Sequence, residues 1–302
     1  MNNVFMSDEV RKALKLNQPI LALESSILSQ GMPYPQSLNF AKKAEKKCRD
    51  LGVIPATIAI INGRINIGLN QDQLKKICQK KDVKKISRRE LGVAVSKKWT
   101  GSTTVSSTMQ IAHKFGIKVF ATGGIGGVHK NFMRSYDISQ DVKALSEIPM
   151  LVITAGPKAI LDIEKTMEAL ETSGVTMIGY KVNELPAFYS RNSNCFGIEK
   201  ITKVKDIVSI FVKNIDLGLH SSILVSNPIP KQYEIPYEKI NIFIEKACLE
   251  AEKKNIVGKD LTPYLLSRIV DFTNGKSLEA NIQLALNNIN LGIEILNEIH
   301  GN

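Results

Sequence analysis

Short, nearly unbroken apolar runs recur along the chain: PILALES near residue 20, PATIAIING near 55, KVFATGG near 118, MLVITAG near 150 and SILVSNP near 222. Segments with helical spacing lie between them, among them NFAKKAEKKCRDLG and TVSSTMQIAHKFG. Continuous apolar strands alternating with amphipathic helices predict a mostly parallel sheet buried on both faces. In TIAIINGRINIGL, two extended runs flank Asn62-Gly63, the strongest short-range hairpin signal, so an antiparallel element is expected within the sheet. From Tyr237 onward the pattern is helical, ending in SLEANIQLALNNINLGIEILNEI. The fold class expected is α/β: a three-layer α/β/α arrangement with a mixed, mostly parallel central sheet and a helical C-terminal cover. No repeat, low-complexity tract or linker divides the chain, so residues 1–302 are expected to form a single domain.

Composition narrows the function classes. With 43% hydrophobic and 23% charged residues, the chain falls among folded globular proteins. The apolar runs are too short to span a bilayer, and the N-terminus has neither an h-region nor a small-residue cleavage site, so a cytoplasmic protein without membrane contact is expected. The net charge of +11 comes from lysines spread over helix faces with acids interleaved, and only 6% of residues are aromatic. A nucleic-acid platform needs a focused basic stripe and stacking side chains, so no nucleic-acid partner is expected. Cys48, Cys78, Cys195 and Cys248 have no metal-binding spacing and are read as structural thiols.

In parallel α/β sheets, ligands bind where strands end and loops turn into helices. Here those ends read LES, ATGGIGG, TAGPK and VSNPIP. In TAGPKAILDIEKTMEAL, Pro157 suits a first helical position, which would place Lys158 in the first turn, where the helix dipole disfavours an ammonium. A neutral amine is what a Schiff-base nucleophile requires. The competing reading is a surface lysine, and spacing alone leans that way. Glu24, closing the strand LALES, could have a raised pKa and act as a general acid, or could simply cap the next segment. Asp137 and Asp141, four apart around a helix start, could hold a hard divalent ion, although ordinary capping explains them more simply. ATGGIGGVHK fits neither the dinucleotide fingerprint nor a P-loop. GSTTVSST, leading into a helix, could cradle an anion, with Lys85, Arg88 and Arg89 as sources of positive charge.

Ten blocks taken in order make the pattern specific: ALESSILSQGMPYPQ, IPATIAIINGRINIGL, KKISRREL, GSTTVSSTM, VFATGGIGGVH, DISQD, ITAGPKAILDI, LPAFYSR, SNPIP and SLEANIQLALNN. Together they resemble the pseudouridine-5′-phosphate glycosidase (indigoidine synthase A-like) family over nearly the whole chain. The resemblance implies reversible cleavage of the C–C glycosidic bond of pseudouridine 5′-phosphate to uracil and ribose 5-phosphate, in pyrimidine salvage. It also implies one divalent cation per subunit, typically Mn2+, and a homotrimer. The family's nucleophilic lysine falls on Lys158 and its proton donor on Glu24. Substrate-binding positions fall on Lys85, Val105, Ser139, Gln140, Asp141 and Asn281. The metal ligand falls on Asp137, with Asp141 able to share or take that role. Ring opening would expose C1 of the sugar to Lys158, and the resulting iminium would let the uracil carbon leave. Three positions depart from the common pattern: Pro157 for alanine, Glu90 for aspartate and Gln30 for histidine. Two alternatives remain: a related sugar-phosphate lyase acting on another base, and a nucleotide-binding protein without turnover.

Overall fold

The computed structural model describes residues 3–79, 81–130 and 132–301. The chain runs β1 (Val4–Met6), α1 (Asp8–Lys15), β2 (Ile20–Leu23), α2 (Gln36–Asp50), β3 (Ile54–Ile61), β4 (Arg64–Ile67), α3 (Gln71–Cys78) and β5 (Lys84–Ile86). It continues with α4 (Leu91–Ser96), β6 (Gly101–Thr103), α5 (Val105–Lys114), β7 (Val119–Ala121), α6 (Phe132–Ser135), α7 (Gln140–Glu147), β8 (Leu151–Thr154) and α8 (Ile163–Thr172). The last elements are β9 (Thr176–Tyr180), β10 (Glu199–Ile201), α9 (Val204–Asp216), β11 (Ile223–Ser226), α10 (Tyr237–Lys253), α11 (Leu261–Phe272) and α12 (Lys276–His300).

All eleven strands join one sheet, in the order β1-β4-β3-β2-β7-β8-β11-β9-β10, with β6 paired to β3 and β5 to β6. Every pairing is parallel except β3 with β4 and β3 with β6. The antiparallel pair β3–β4 is the expected hairpin, and Asn62 and Gly63 take the positive φ angles of 50° and 73° that its tight turn demands. The central strands are apolar on both sides because both faces are covered. Leu21 and Leu23 face one core with Phe40 of α2, Phe211 of α9 and Leu284 of α12. Ile20 and Ala22 face the other, with Val10 of α1, Met109 of α5 and Leu145 of α7. The three-layer expectation holds, and α10, α11 and α12 supply the C-terminal cover.

Strand β3 changes partners part-way along, and this positions the site. Ile54–Thr57 pair with β2, whereas Ala59 and Ile60 pair with β6. The end of β6 is thereby brought to the end of β2. The Ser25 hydroxyl fastens the junction, donating to the Ile58 carbonyl at 2.6 Å and accepting from the Thr103 amide at 2.9 Å. Lys85, one strand further out and in register with Ser102, is carried to the same edge.

One expectation needs correcting. Lys158 is not in the first turn of a helix: α8 begins at Ile163, capped by the Asp162 side chain. The strand pair β7–β8 does not end where its regular ladder ends. Ala155 donates to the Gly123 carbonyl, Ile125 to the Gly156 carbonyl and Lys158 to the Ile125 carbonyl, at 2.9, 3.1 and 3.0 Å. The segment is thus held extended as a prolongation of the sheet. Pro157 bridges Ile125 at the one place where this ladder needs no N–H from the second strand, so proline is tolerated. The helix-dipole argument for a neutral Lys158 falls with the helix.

Gly156 in this ladder has φ +90°, and an added Cβ would lie 1.9 Å from the Pro186 carbonyl oxygen. Gly52 has φ +76° with nothing within 4 Å. Gly52→Ala is expected to cost about 1 kcal/mol, the left-handed penalty alone. Gly156→Ala is expected to cost roughly 3 kcal/mol or more, since backbone must move as well. Urea unfolding of the two variants checks the difference.

Candidate active site

At the edge where β2, β7 and β8 end, two connected cavities open beneath α11 and α12. The outer one, about 280 Å³, is lined among others by Lys85, Ser87, Arg89, Thr104, His129 and the segment Asp137–Asp141. The inner one, about 40 Å³, is lined by Glu24, Gln30, Gly124, Phe188 and Asn281. Ser26, Lys85, Lys158 and Thr262 line both and mark their junction.

Glu24 follows the last residue of β2 and is buried, only 5% exposed. Its two oxygens accept from the Ser26 and Thr122 hydroxyls. Burial raises its pKa, and Asp141 adds to that; the Lys158 cation and the two hydroxyls pull the other way. The net effect is a pKa above the ordinary carboxylate value, the direction a proton donor requires. Neither Ser26 nor Thr122 was singled out in the sequence, although Thr122 occupies the strand-end position that the α/β rule marks.

Asp141 is buried, and its role is largely taken. Oδ1 accepts from the Ser106 amide at the start of α5 and Oδ2 from the Gly126 amide, each at 2.9 Å. Ser139 caps α7 by accepting from the Asp141 amide. Asp137 precedes the helix, so the two aspartates do not share a helix face; they meet through the cleft they both line. The His129 imidazole lies 3.8 Å from the Asp137 carboxylate. Burial lowers the His129 pKa and Lys85 and Lys158 reinforce this, while Asp137 opposes it. His129 gives no signal in the sequence, because a single histidine at the end of ATGGIGGVHK has no metal-binding or catalytic spacing.

Among the described residues, no three His, Cys, Asp or Glu side chains form a metal cage. A hard divalent ion can instead be held by one carboxylate and complete its shell with water and substrate oxygens. Asp137 fits that requirement better than Asp141, whose two oxygens already serve backbone amides.

The remaining expected residues divide. Lys85, Ser139, Gln140 and Asn281 line the cavities. Asn281 is buried on α12; its Nδ2 donates to the Gly31 carbonyl at 3.4 Å, while its Oδ1 has no partner. A buried amide oxygen without a donor is costly unless a ligand supplies one. Val105 is different: its side chain packs into the core with Met109 and Phe120, so only the backbone at the head of α5 could reach a ligand. Arg88 is also turned away, held by Gln110 and Glu147, whereas Arg89 lines the cleft. The departures are absorbed locally. Glu90 closes a capping box with Ser87, and Gln30 lines the inner cavity.

The glycines of ATGGIGG permit close packing rather than phosphate wrapping. A Cβ on Gly124 would strike the Phe188 ring at 2.5 Å, and one on Gly126 would strike the Ser139 hydroxyl at 2.2 Å.

The family model for indigoidine synthase A like protein matches residues 9–298. The chain belongs to that family. Curated relatives named pseudouridine-5′-phosphate glycosidase agree at near full length. One from Petrotoga mobilis is 49% identical over 295 residues, covering 98% of this chain and 96% of the relative. One from Staphylococcus aureus is 49% identical over 289 residues, covering 96% and 94%. Two solved structures share the fold. An indigoidine synthase A-like protein from Thermotoga maritima has a TM-score of 0.89 at 32% identity, covering 97% of this chain and 95% of that one. The prealnumycin C-glycosynthase AlnA, solved with ribulose 5-phosphate, has a TM-score of 0.91 at 30% identity, covering 100% and 98%.

The raised pKa of Glu24 has a consequence for stability. Folded Glu24 binds its proton more tightly than the unfolded chain does, so above its ordinary value of 4.5 the native state holds the extra proton. Stability contributed by this group therefore falls as pH rises from there through the folded value, and stays lost above it. Glu24→Gln removes the titration. Its melting temperature, measured against the parent's, is expected to match best near pH 4 and to rise relative to the parent toward pH 8.

Proposed function

We propose that this enzyme cleaves pseudouridine 5′-phosphate with water to uracil and ribose 5-phosphate, reversibly, as a cytoplasmic step of pyrimidine salvage. The observation that carries the reading is the buried acid Glu24 facing Lys158 at the junction of a cleft that also holds Lys85 and Arg89. The near full-length relatives bearing that activity in their names support it.

The phosphate would rest in the outer cavity against Lys85, Arg89 and the Thr104 hydroxyl at the head of α5. The sugar would then reach Lys158, and the base would extend toward Asn281, whose unpartnered Oδ1 can accept from a pyrimidine N–H. Lys158 Nζ, as the free amine, bonds to C1′ of the sugar while the ring C1′–O bond breaks. Glu24 gives its proton to the departing ring oxygen. The adduct nitrogen gives a proton back to the Glu24 carboxylate, and its freed lone pair then expels the uracil carbon, which takes that proton from Glu24, leaving an iminium between Lys158 and C1′. Water adds to the iminium, and ribose 5-phosphate leaves as the aldehyde that closes to the ring. A divalent cation, manganese in this reading, would supply charge to order sugar hydroxyls and water, and Asp137 beside His129 would hold it.

A homotrimer belongs to the same reading, and exposed Met133, Tyr136, Ile242 and Leu249 are candidate surface for it to cover. Among the described residues, no helix is long and apolar enough to cross a membrane. The likeness to a C-glycosynthase solved with a pentulose phosphate favours one second reading: the same sugar-phosphate chemistry with a different aglycone.

Incubation with pseudouridine 5′-phosphate and manganese, then borohydride, is expected to leave a reduced pentose-phosphate adduct on Lys158 by peptide mass mapping. Lys158→Ala should lose activity by about 10⁴-fold or more, as removal of a covalent nucleophile does. Turnover that survives Lys158→Ala would sink the mechanism, and cleavage of a C-ribosyl phosphate carrying another aglycone, with pseudouridine 5′-phosphate left intact, would favour the second reading. Asp137→Asn is expected to weaken manganese binding at least tenfold by electron paramagnetic resonance titration, with Asp141→Asn instead lowering folding stability.

A further inference from the structure

Glu24 lies at the floor of the inner cavity, so a substrate seated above it closes its route to solvent through the cleft. A second route exists behind it. Glu24 also lines a separate cavity of about 20 Å³ beneath the cleft, with Thr57 and Thr122 as the other polar residues on an apolar wall that includes Ile27, Phe40 and Ala44. That is room for one water, and three polar neighbours are enough to hold it. On the far side, the Thr57 hydroxyl donates to Glu45 Oε1 at 2.7 Å. Glu45, on α2, is 3% exposed, and its other oxygen accepts from Arg49 at 3.4 Å. Arg49 in turn reaches the surface in a fork on Glu9 of α1, at 2.8 and 3.0 Å.

A buried carboxylate is costly unless it has work to do, and Glu45 is not needed to neutralise Arg49, which Glu9 already grips. We propose that Thr57 and Glu45 form a proton relay joining Glu24 to the solvent face of α1 and α2, with one water in the intervening cavity. The proposal rests on Glu24 being the proton donor of the reaction above. Each transfer balances: Glu45, 3% exposed, takes a proton from water at the α1–α2 surface and passes it to the Thr57 oxygen, Thr57 passes its own to the cavity water, and that water passes one to the Glu24 carboxylate, Arg49 and Glu9 carrying none of it. The reverse sequence drains a proton. Thr57 and Glu45 are positioning residues that act through Glu24.

The charged groups facing Glu45 are Arg49 from its own helix and Glu9 from α1. Cys48 beside it stays a neutral thiol, held up at about 12 by burial and by Glu45 itself. Burial likewise raises the Glu45 pKa, with Thr57 and Arg49 opposing.

The test uses the full chain with pseudouridine 5′-phosphate and manganese. Thr57→Val and Glu45→Gln are each expected to lower kcat about tenfold with KM unchanged and with a larger solvent deuterium isotope effect. That loss is smaller than the 10²–10⁴ a directly acting acid supplies. Thr57→Ser, which keeps the hydroxyl, should retain the parent kcat and isotope effect. Parent values of kcat, isotope effect and pH profile in folded Thr57→Val or Glu45→Gln overturn the relay, as does a loss that Thr57→Ser shares equally. Glu24→Gln separates the two claims: if it abolishes turnover while the relay variants do not, the relay alone falls. If Glu24→Gln turns over normally, the proton-donor role falls and takes the relay with it.

Discussion

One buried carboxylate holds the cleft in shape. Asp141 sits in the first turn of α7 and accepts from the head of α5 through Ser106 and from the glycine-rich loop through Gly126. Three segments far apart in sequence are thereby fixed to one another at the sheet edge. Buried amides at a helix start and in a loop have few alternatives to such an acceptor, and a charged one makes the bonds strong. Gly126 must be glycine for the approach, because any Cβ there would overlap the Ser139 hydroxyl and crowd Asp141 itself. Without Asp141, the loop that carries His129 and the helix that carries Thr104 would have no common anchor.

The edge so fixed receives charged groups that a core would reject. Glu24 has its charge penalised by burial and only partly restored by Lys158 and two hydroxyls. Acid and amine therefore sit together at a place dry enough to raise the pKa of the carboxyl, the direction that proton donation to a sugar oxygen requires. The lysine is aimed by the sheet rather than by a helix. Its backbone is pinned to Ile125 by the prolonged β7–β8 ladder, so the freedom left to it is that of its own side chain.

The fold was legible from periodicity because the central strands are apolar on both faces and the helices between them are amphipathic. Asn62-Gly63 marked the hairpin for the reason that its dihedrals now show. The short strands β1, β5, β6 and β10 were not legible: three residues give no period, and Lys84-Lys85-Ile86 reads as a solvated run. In the site, resemblance singled out Lys158, Glu24, Lys85 and Asn281, and all four line the inner cavity. Local reasoning did less well where an extended ladder and a helix start look alike. Ala155-Gly156-Pro157 has the composition of a helix entry, and only the pairing partner across the sheet, Ile125, decides otherwise. Val105 shows the limit of position-by-position transfer, since its side chain serves the core while its backbone heads the helix.

At the cleft, one polar group with unfinished hydrogen bonding marks where stability is given up for function. Ser26, Thr122, Ser139 and Thr57 each complete a neighbour's hydrogen bonding inside the fold, and they could be understood as structure alone. Asn281 cannot, because its Oδ1 is buried and unmet while its Nδ2 holds the π-helical turn Ile27–Gly31 in place. The residue lines the inner cavity while its Nδ2 is tied to the Gly31 carbonyl. A donor must come from outside the chain, and a pyrimidine N–H arriving opposite Lys158 meets that need. An apolar replacement would remove the unmet oxygen and stabilise α12 against the sheet, which makes the retained amide a sign of selection for a ligand rather than for the fold.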